Sequence, residues 1–80
     1  QQAWEYASAA ISIKPDYGEA YFFRAEVSVR SKNYAAAISD YTQALKYSQN
    51  NSAALWKRAS AKFELKDYIG TIDDLSVILD

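Results

Sequence analysis

Apolar residues return every three to four positions along most of this 80-residue chain, which is the spacing of one face of an α-helix. Polar breaks, the first of them at Pro15, divide the pattern into five stretches. The predicted helices are one that ends near residue 13, then 18–31, 34–47, 52–65 and 68–80. β-Branched residues never alternate with polar ones over a run, so no strand is predicted. The sequence therefore predicts an all-α fold of antiparallel helix pairs joined by short loops.

Two of these helices have a candidate side-chain cap. Asp16 follows Pro15 and offers an acceptor to the free N–H groups of the second helix, and Glu19 comes three residues later, as in a capping box. For the fourth helix, Asn51 or Ser52 is the expected cap.

Many residues return after an interval of 34 positions. Arg24-Ala25 is followed by Arg58-Ala59, and Tyr34 is followed by Tyr68. Further pairs at the same interval are Ala3 and Ala37, Ala10 and Ala44, Ala20 and Ala54, Lys32 and Lys66, Ile38 and Ile72, and Asp40 and Asp74. A period between 20 and 50 residues is typical of stacked repeats. The chain is therefore interpreted as a stretch of a repeat array, and we call this spacing the repeat interval.

These positions resemble the tetratricopeptide repeat, a helical family with a 34-residue period and the pattern W-x2-L-G-x2-Y, A-x3-F, P. The corresponding positions are Tyr21 and Leu55 at the start, Ala3, Ala37 and Thr71 in the second helix, Ala7, Tyr41 and Leu75 four residues later, and Pro15 and Gln49 at the close. The chain departs from the pattern at Arg24 and Arg58, where leucine is usual, at Ser28 and Lys62, where an aromatic residue is usual, and at Thr71, where alanine is usual.

The resemblance implies an α-solenoid of stacked helix-turn-helix repeats. Residues 1–17 would be the second helix of a partial repeat, 18–51 a complete repeat and 52–80 most of a further one. In this family the first helices line a concave groove, which implies binding of a peptide or partner protein. The groove residues transferred by position are Phe22, Phe23, Glu26, Val29, Arg30, Trp56, Lys57, Ser60 and Phe63.

Large aromatic side chains on a concave surface are good anchors for a peptide. Phe22 and Trp56 are the expected anchors, with Val29 and Phe63 beside them. The alternative is that these aromatic residues pack neighbouring helices together. A family subgroup that clamps the terminal carboxylate of chaperones is disfavoured, because only Lys57 matches its pattern of cations and amides.

Arg24 precedes Asp40 by the same number of positions as Arg58 precedes Asp74. An arginine on a first helix and an aspartate on its antiparallel partner can meet across the hairpin. A partly buried charge needs such a partner, so a structural ion pair is predicted in each hairpin. A charged ligand site is the less favoured alternative.

The composition argues against catalysis and against several classes of ligand. The chain has no histidine or cysteine and only two glycines, so a metal site, a thiolate nucleophile and a glycine-rich phosphate loop are not expected. A net charge of −1 and the lack of a long apolar run predict no binding to nucleic acid or membrane. We expect no enzyme activity and no cofactor.

The predicted function is a protein–protein interaction scaffold that presents a concave groove to a peptide or partner protein. The alternative is an architectural spacer, or a segment that self-associates through its exposed end helices, above all residues 68–80 with their broad apolar arc. No targeting segment is recognised, and the cytoplasm is only the default expectation.

Overall fold

The computed structural model describes residues 2–48 and 51–79. Its elements are α1 (Gln2–Ile13), α2 (Gly18–Arg30), α3 (Tyr34–Tyr47), α4 (Ser52–Glu64) and α5 (Tyr68–Leu79). These ranges differ from the predicted ones by at most about one residue at each end, the margin to which helix ends are defined. No strand occurs within the described ranges. The predicted all-α fold of five helices is confirmed.

Each helix packs on its neighbours in the chain: α1 on α2, α2 on α3, α3 on α4 and α4 on α5. Within the described residues, helices that are not consecutive make few or no contacts. Such a stack, in which every element touches only the previous and the next one, is the arrangement of an α-solenoid.

The start of α2 differs from the sequence prediction. Tyr17 occupies the N-cap position and makes no side-chain cap hydrogen bond, so the predicted cap by Asp16 is wrong. The reason is that the turn after Pro15 continues one residue further, as the Tyr17 N–H donates to the Lys14 carbonyl over 3.0 Å. Asn51 does cap α4, since its side chain accepts a hydrogen bond from the Ala54 N–H over 3.1 Å.

Two residues after the ends of both α2 and α4 there is a lysine with a left-handed backbone. Lys32 has φ 60° and Lys66 has φ 66°. In each case the next residue donates back into the helix, as Asn33 N–H does to the Ser28 carbonyl over 2.8 Å. This is the Schellman arrangement, which satisfies free carbonyl groups at a helix end. Because the two lysines are one repeat interval apart, both hairpins turn in the same way.

Alanine dominates the core. Ala25, Ala37, Ala44 and Ala59 are all buried, as the repeat pattern predicts. The largest fully buried side chain is Tyr41, which packs with Ala25, Ala37 and a third alanine, Ala54 of α4. A methyl side chain lets helices approach closely, so the alanine positions set the spacing between neighbouring helices.

The alanine contacts predict that Ala37→Leu destabilises the fold. Ala37 is 0% exposed, so a larger side chain must push the helices apart, and the free energy of unfolding should fall by about 1–3 kcal/mol. Ala35→Leu is the matched control, because Ala35 is exposed on the same helix. Denaturant unfolding of the two variants checks this. Equal stability of both would contradict the packing described here.

The left-handed backbone at Lys32 and Lys66 predicts that glycine at such a position stabilises the fold. A side chain in this backbone region costs about 1–2 kcal/mol, which glycine avoids. Glycine also gives the unfolded chain more conformational entropy, which offsets part of the relieved strain. Lys32→Gly should therefore raise the free energy of unfolding by up to about 1 kcal/mol. Lys32→Ala keeps the strain and should bring no gain. A thermal melt in which the alanine variant gains as much as the glycine variant would show that backbone strain is not the cause.

Candidate functional site

A cleft of about 370 Å³ lies between α2, α3 and α4. Six of the nine predicted groove residues line it, namely Glu26, Val29, Arg30, Trp56, Lys57 and Ser60. Tyr34, Tyr41, Ala61 and Glu64 complete the lining. The two first helices of the predicted repeats thus do form the walls of one concavity, and we call it the main cleft.

A smaller cleft of about 210 Å³ continues from the main cleft between α4 and α5. Trp56, Ser60 and Glu64 line both, and Phe63 lines only the smaller one, together with Thr71 and other residues of α4 and α5. Trp56 is 58% exposed. The predicted groove is therefore two adjoining clefts with this indole ring at their shared border.

Phe22 and Phe23 line neither cleft. Phe22 is partly buried and meets the Tyr41 ring edge to face, with 5.6 Å between the ring centroids. Phe22 packs against the core. It is therefore better explained as a residue that holds neighbouring helices together than as an anchor for a peptide. Phe23 is exposed away from both clefts. Of the two expected anchors, the structure leaves Trp56 open to a ligand.

A hydrogen-bonded network forms part of the lining of the main cleft. Glu26 Oε2 accepts a hydrogen bond from the Tyr41 hydroxyl over 2.9 Å and forms an ion pair with Lys57 Nζ at 2.7 Å. Burial, with a further contribution from the hydrogen bond to Glu26, raises the pKa of Tyr41 well above its ordinary value. The phenol therefore stays neutral and donates, and the charges of Glu26 and Lys57 neutralise each other.

Two other charged residues line the main cleft. Arg30 and Glu64 make no ion pair with any residue in 2–48 or 51–79. They are therefore available to charged or polar groups of a ligand, whereas Glu26 and Lys57 are already paired.

Both predicted ion pairs are present outside the clefts. Arg24 donates from Nε to Asp40 Oδ2 over 2.8 Å and from Nη2 to Asp40 Oδ1 over 2.9 Å. Arg58 binds Asp74 in the same two-pronged way, over 2.9 and 2.6 Å. The aspartate side chains are 9% and 5% exposed. Because these carboxylates are buried at helix contacts and line neither cleft, they are better explained as structural pairs than as a ligand site.

Each arginine has a second partner residue, besides its aspartate, that the sequence analysis missed. Arg24 Nη1 donates to Ser8 Oγ over 3.0 Å, and Arg58 Nη1 donates to Thr42 Oγ1 over 3.0 Å. The hydroxyl belongs to the preceding helix, so one guanidinium connects three consecutive helices. We call each set a joint. The signal was available, since Ser8 and Thr42 are also one repeat interval apart.

The second joint contains an additional cation, because Lys62 Nζ lies 3.2 Å from Asp74 Oδ2. Burial of Asp74 acts to raise the pKa of its carboxyl, but the hydrogen bonds and charges of Arg58 and Lys62 outweigh burial and hold that pKa below its usual value. In the first joint the hydrogen bond to Asp40 raises the pKa of Arg24, against the opposing effect of burial. Both shifts favour the charged forms of Asp74 and Arg24.

A comparison with known proteins shows a similarity to part of a longer polypeptide. No protein-family model matches the chain. The chain is 30% identical over all of its 80 residues to the human protein General transcription factor 3C polypeptide 3. It spans only 9% of the length of that relative. The chain is thus similar to a small part of a much longer human polypeptide.

Neither a membrane span nor a metal cluster is found in the described part of the chain. None of the helices between residues 2 and 79 is long and apolar enough to cross a membrane. Among the described side chains there is no cluster of three or more potential metal ligands.

The contacts of the second joint predict that Asp74→Asn strongly lowers the free energy of unfolding. The neutral amide leaves Arg58 and Lys62 near each other without a counter-charge, and we expect a loss of about 3 kcal/mol at pH 7, between the values for exposed and fully buried pairs. Asp73→Asn is the matched control, because Asp73 is exposed on the same helix. Urea unfolding measures both variants. A loss as small as that of the control would contradict the structural role of the joint.

The lowered pKa of Asp74 also predicts that the contribution of Asp74 to stability depends on pH. A carboxyl with a lower pKa in the folded state stabilises fully above the pKa of the unfolded chain, about 3.9, and loses this contribution as the pH falls through its folded pKa. The stability difference between the parent chain and Asp74→Asn should therefore be constant between about pH 5 and 8 and shrink below about pH 4. A difference that does not change down to the acid limit of folding would refute this assignment.

Proposed function

We propose that this chain is a protein–protein interaction module that binds a segment of a partner protein in its main cleft. The observation that carries the proposal is Trp56, a large aromatic side chain left 58% exposed at the border of two adjoining clefts. Exposed aromatic residues in concave sites are the residues that most often dominate the affinity of an interface.

The charges around the cleft support a polypeptide ligand. The Glu26–Lys57 pair and the Tyr41 hydroxyl form a satisfied polar surface that does not need to rearrange on binding. Arg30 and Glu64 supply one cation and one anion without an ion-pair partner in the described part of the chain. A peptide segment with an apolar side chain for Trp56 and polar groups on either side suits this combination. The similarity to one polypeptide of a human general transcription factor is compatible with such a scaffold.

We also propose that the chain is a segment of a tetratricopeptide repeat array. Helix pairs with the same turn, the same arginine–aspartate pair and the same hydroxyl contact return at the repeat interval, which supports this proposal. The division into 1–17, 18–51 and 52–80 remains a prediction. We propose in addition that the chain has no catalytic activity of its own, because its sequence contains neither histidine nor cysteine.

An architectural role is the second candidate. Its support is that Phe22, one of the two expected anchors, packs against the core and that Phe23 lies outside both clefts. In that case the clefts are gaps between stacked helices, and the segment only spaces other parts of an assembly.

Peptide selection distinguishes the two candidates. Peptides selected from a random display library for binding to the parent chain should bind Trp56→Ala at least about 30-fold more weakly, since a hot-spot aromatic contributes about 2 kcal/mol or more. Phe23→Ala removes an exposed aromatic side chain outside the clefts and should leave binding unchanged. Both side chains are exposed, so folding should be little affected, and circular dichroism checks this.

The binding measurement is titration of a labelled peptide against each variant. Failure to select any peptide, or selected peptides that bind Trp56→Ala as tightly as the parent chain, would favour the architectural role. A selected peptide should also change the fluorescence of Trp56 in a Trp4→Phe background, where it is the remaining tryptophan.

A further inference from the structure

The main cleft carries one charge of each sign at a repeated position. Arg30 is the last residue of α2, and Glu64 is the last residue of α4, one repeat interval later. Both are exposed, and both line the main cleft. Within residues 2–48 and 51–79 neither has an ion-pair partner. Two helices at equivalent places in the repeat therefore present opposite charges to the same space.

The other two charges in the main cleft cancel each other. Lys57 Nζ lies 2.7 Å from Glu26 Oε2 and 5.8 Å from the centre of the Phe22 ring. The remaining lining residues are uncharged apart from Arg30 and Glu64. The wall formed by α2 is therefore positive, and the wall formed by α4 is negative.

Glu64 lies where an anion destabilises its own helix. The C-terminal end of a helix carries a partial negative charge, which attracts a nearby cation and repels an anion. Arg30 at the end of α2 agrees with this rule, whereas Glu64 at the end of α4 does not. Residues that oppose the local structure without a compensating contact are typical of functional positions. A basic group of a ligand would supply that contact to Glu64.

We propose that the main cleft selects a segment with one acidic and one basic side chain in a fixed order. The acidic side chain binds Arg30, the basic side chain binds Glu64, and an apolar side chain contacts Trp56. A segment with its two charges exchanged meets a like charge at both walls, and like charges repel by about as much as opposite charges attract. The inference rests on the binding function proposed above and adds the charge order of the ligand.

The occupant is a segment of another protein and not a second copy of this chain. Arg30 of one copy and Glu64 of another have complementary charges, but the surface that carries them is concave. Two facing clefts of about 370 Å³ each leave a gap between them, and a gap loses the contacts that hold an interface together. A single extended segment can enter one cleft and reach both walls, because its side chains point alternately to opposite sides.

The test exchanges the two charges. The exchanged variant carries Arg30→Glu and Glu64→Arg, so the net charge of the chain is unchanged. The probes are peptides selected on the parent chain from a library that displays them between flanking sequences, without a free terminal carboxylate. They should bind the exchanged variant about tenfold more weakly, because two exposed ion pairs become two repulsions. The same peptides with their acidic and basic residues exchanged should prefer the exchanged variant.

The matched control is the pair of substitutions Lys46→Glu and Asp73→Lys. It also exchanges an exposed cation and an exposed anion, but these residues line neither cleft. The control should leave the affinity of the selected peptides unchanged.

Glu64→Gln provides a second measurement. The neutral amide removes the anion from the end of α4, so the melting temperature of the free chain should rise by about 2 °C. The same substitution should weaken peptide binding about threefold, since one ion pair is lost. A lower melting temperature would show that Glu64 stabilises its own helix and would overturn its assignment to a ligand.

The failure of this inference can be distinguished from the failure of the proposed function. Selected peptides that need Trp56 but bind the exchanged variant as tightly as the parent chain would overturn the charge order alone. The same holds for peptides whose exchanged versions show no reversed preference. Dimers of the parent chain that Trp56→Ala abolishes would assign the main cleft to a second copy and would also overturn the inference. If no peptide is selected, the proposed function fails and the inference fails with it.

Discussion

Each joint is built on the geometry of one guanidinium group. Its five N–H donors lie in one plane, and two parallel bonds to a carboxylate still leave a donor pointing in another direction. In Arg24 and Arg58 that remaining donor reaches a hydroxyl on the preceding helix. A single side chain therefore fixes the pairing of two helices within a hairpin and the contact of that hairpin with the one before. Lysine could not do this, because its ammonium group has no flat, two-pronged face.

The joints depend on the alanine contacts around them. A buried alanine removes little apolar surface from water, so these contacts provide less hydrophobic stabilisation than leucine would. They do let neighbouring helices approach closely, and the guanidinium can then reach groups on two other helices within 3.0 Å. Ala25 and Ala59 directly follow the two arginines and are both buried. The small core and the charged joints are thus parts of one arrangement, in which close approach makes the polar contacts possible.

The sequence predicts the helices, the buried alanines and the arginine–aspartate pairs because all three follow from spacing along one chain. The hydroxyl partners were missed because their one signal was the repeat interval between Ser8 and Thr42, and a serine or threonine on a polar helix surface otherwise resembles a solvated side chain. The cap at Asp16 was wrong because a cap depends on the residue at which the preceding turn ends. Whether the Phe22 side chain points into the cleft or into the core depends on the rotation of α2 against α3. Neighbouring residues on a helix point about 100° apart, so an error of one position exchanges the two locations.

The joints also determine how the candidate binding residues are presented. Trp56 is two residues before Arg58, so the two side chains leave α4 about 200° apart, on nearly opposite sides. Glu26 has a similar relation to Arg24 on α2, two residues later. An arginine held by an aspartate and a hydroxyl fixes the rotation of its helix about the helix axis. That rotation directs Trp56 to the border of the clefts and Glu26 towards Tyr41 and Lys57. Residues that no ligand touches therefore orient the surface that a ligand would meet.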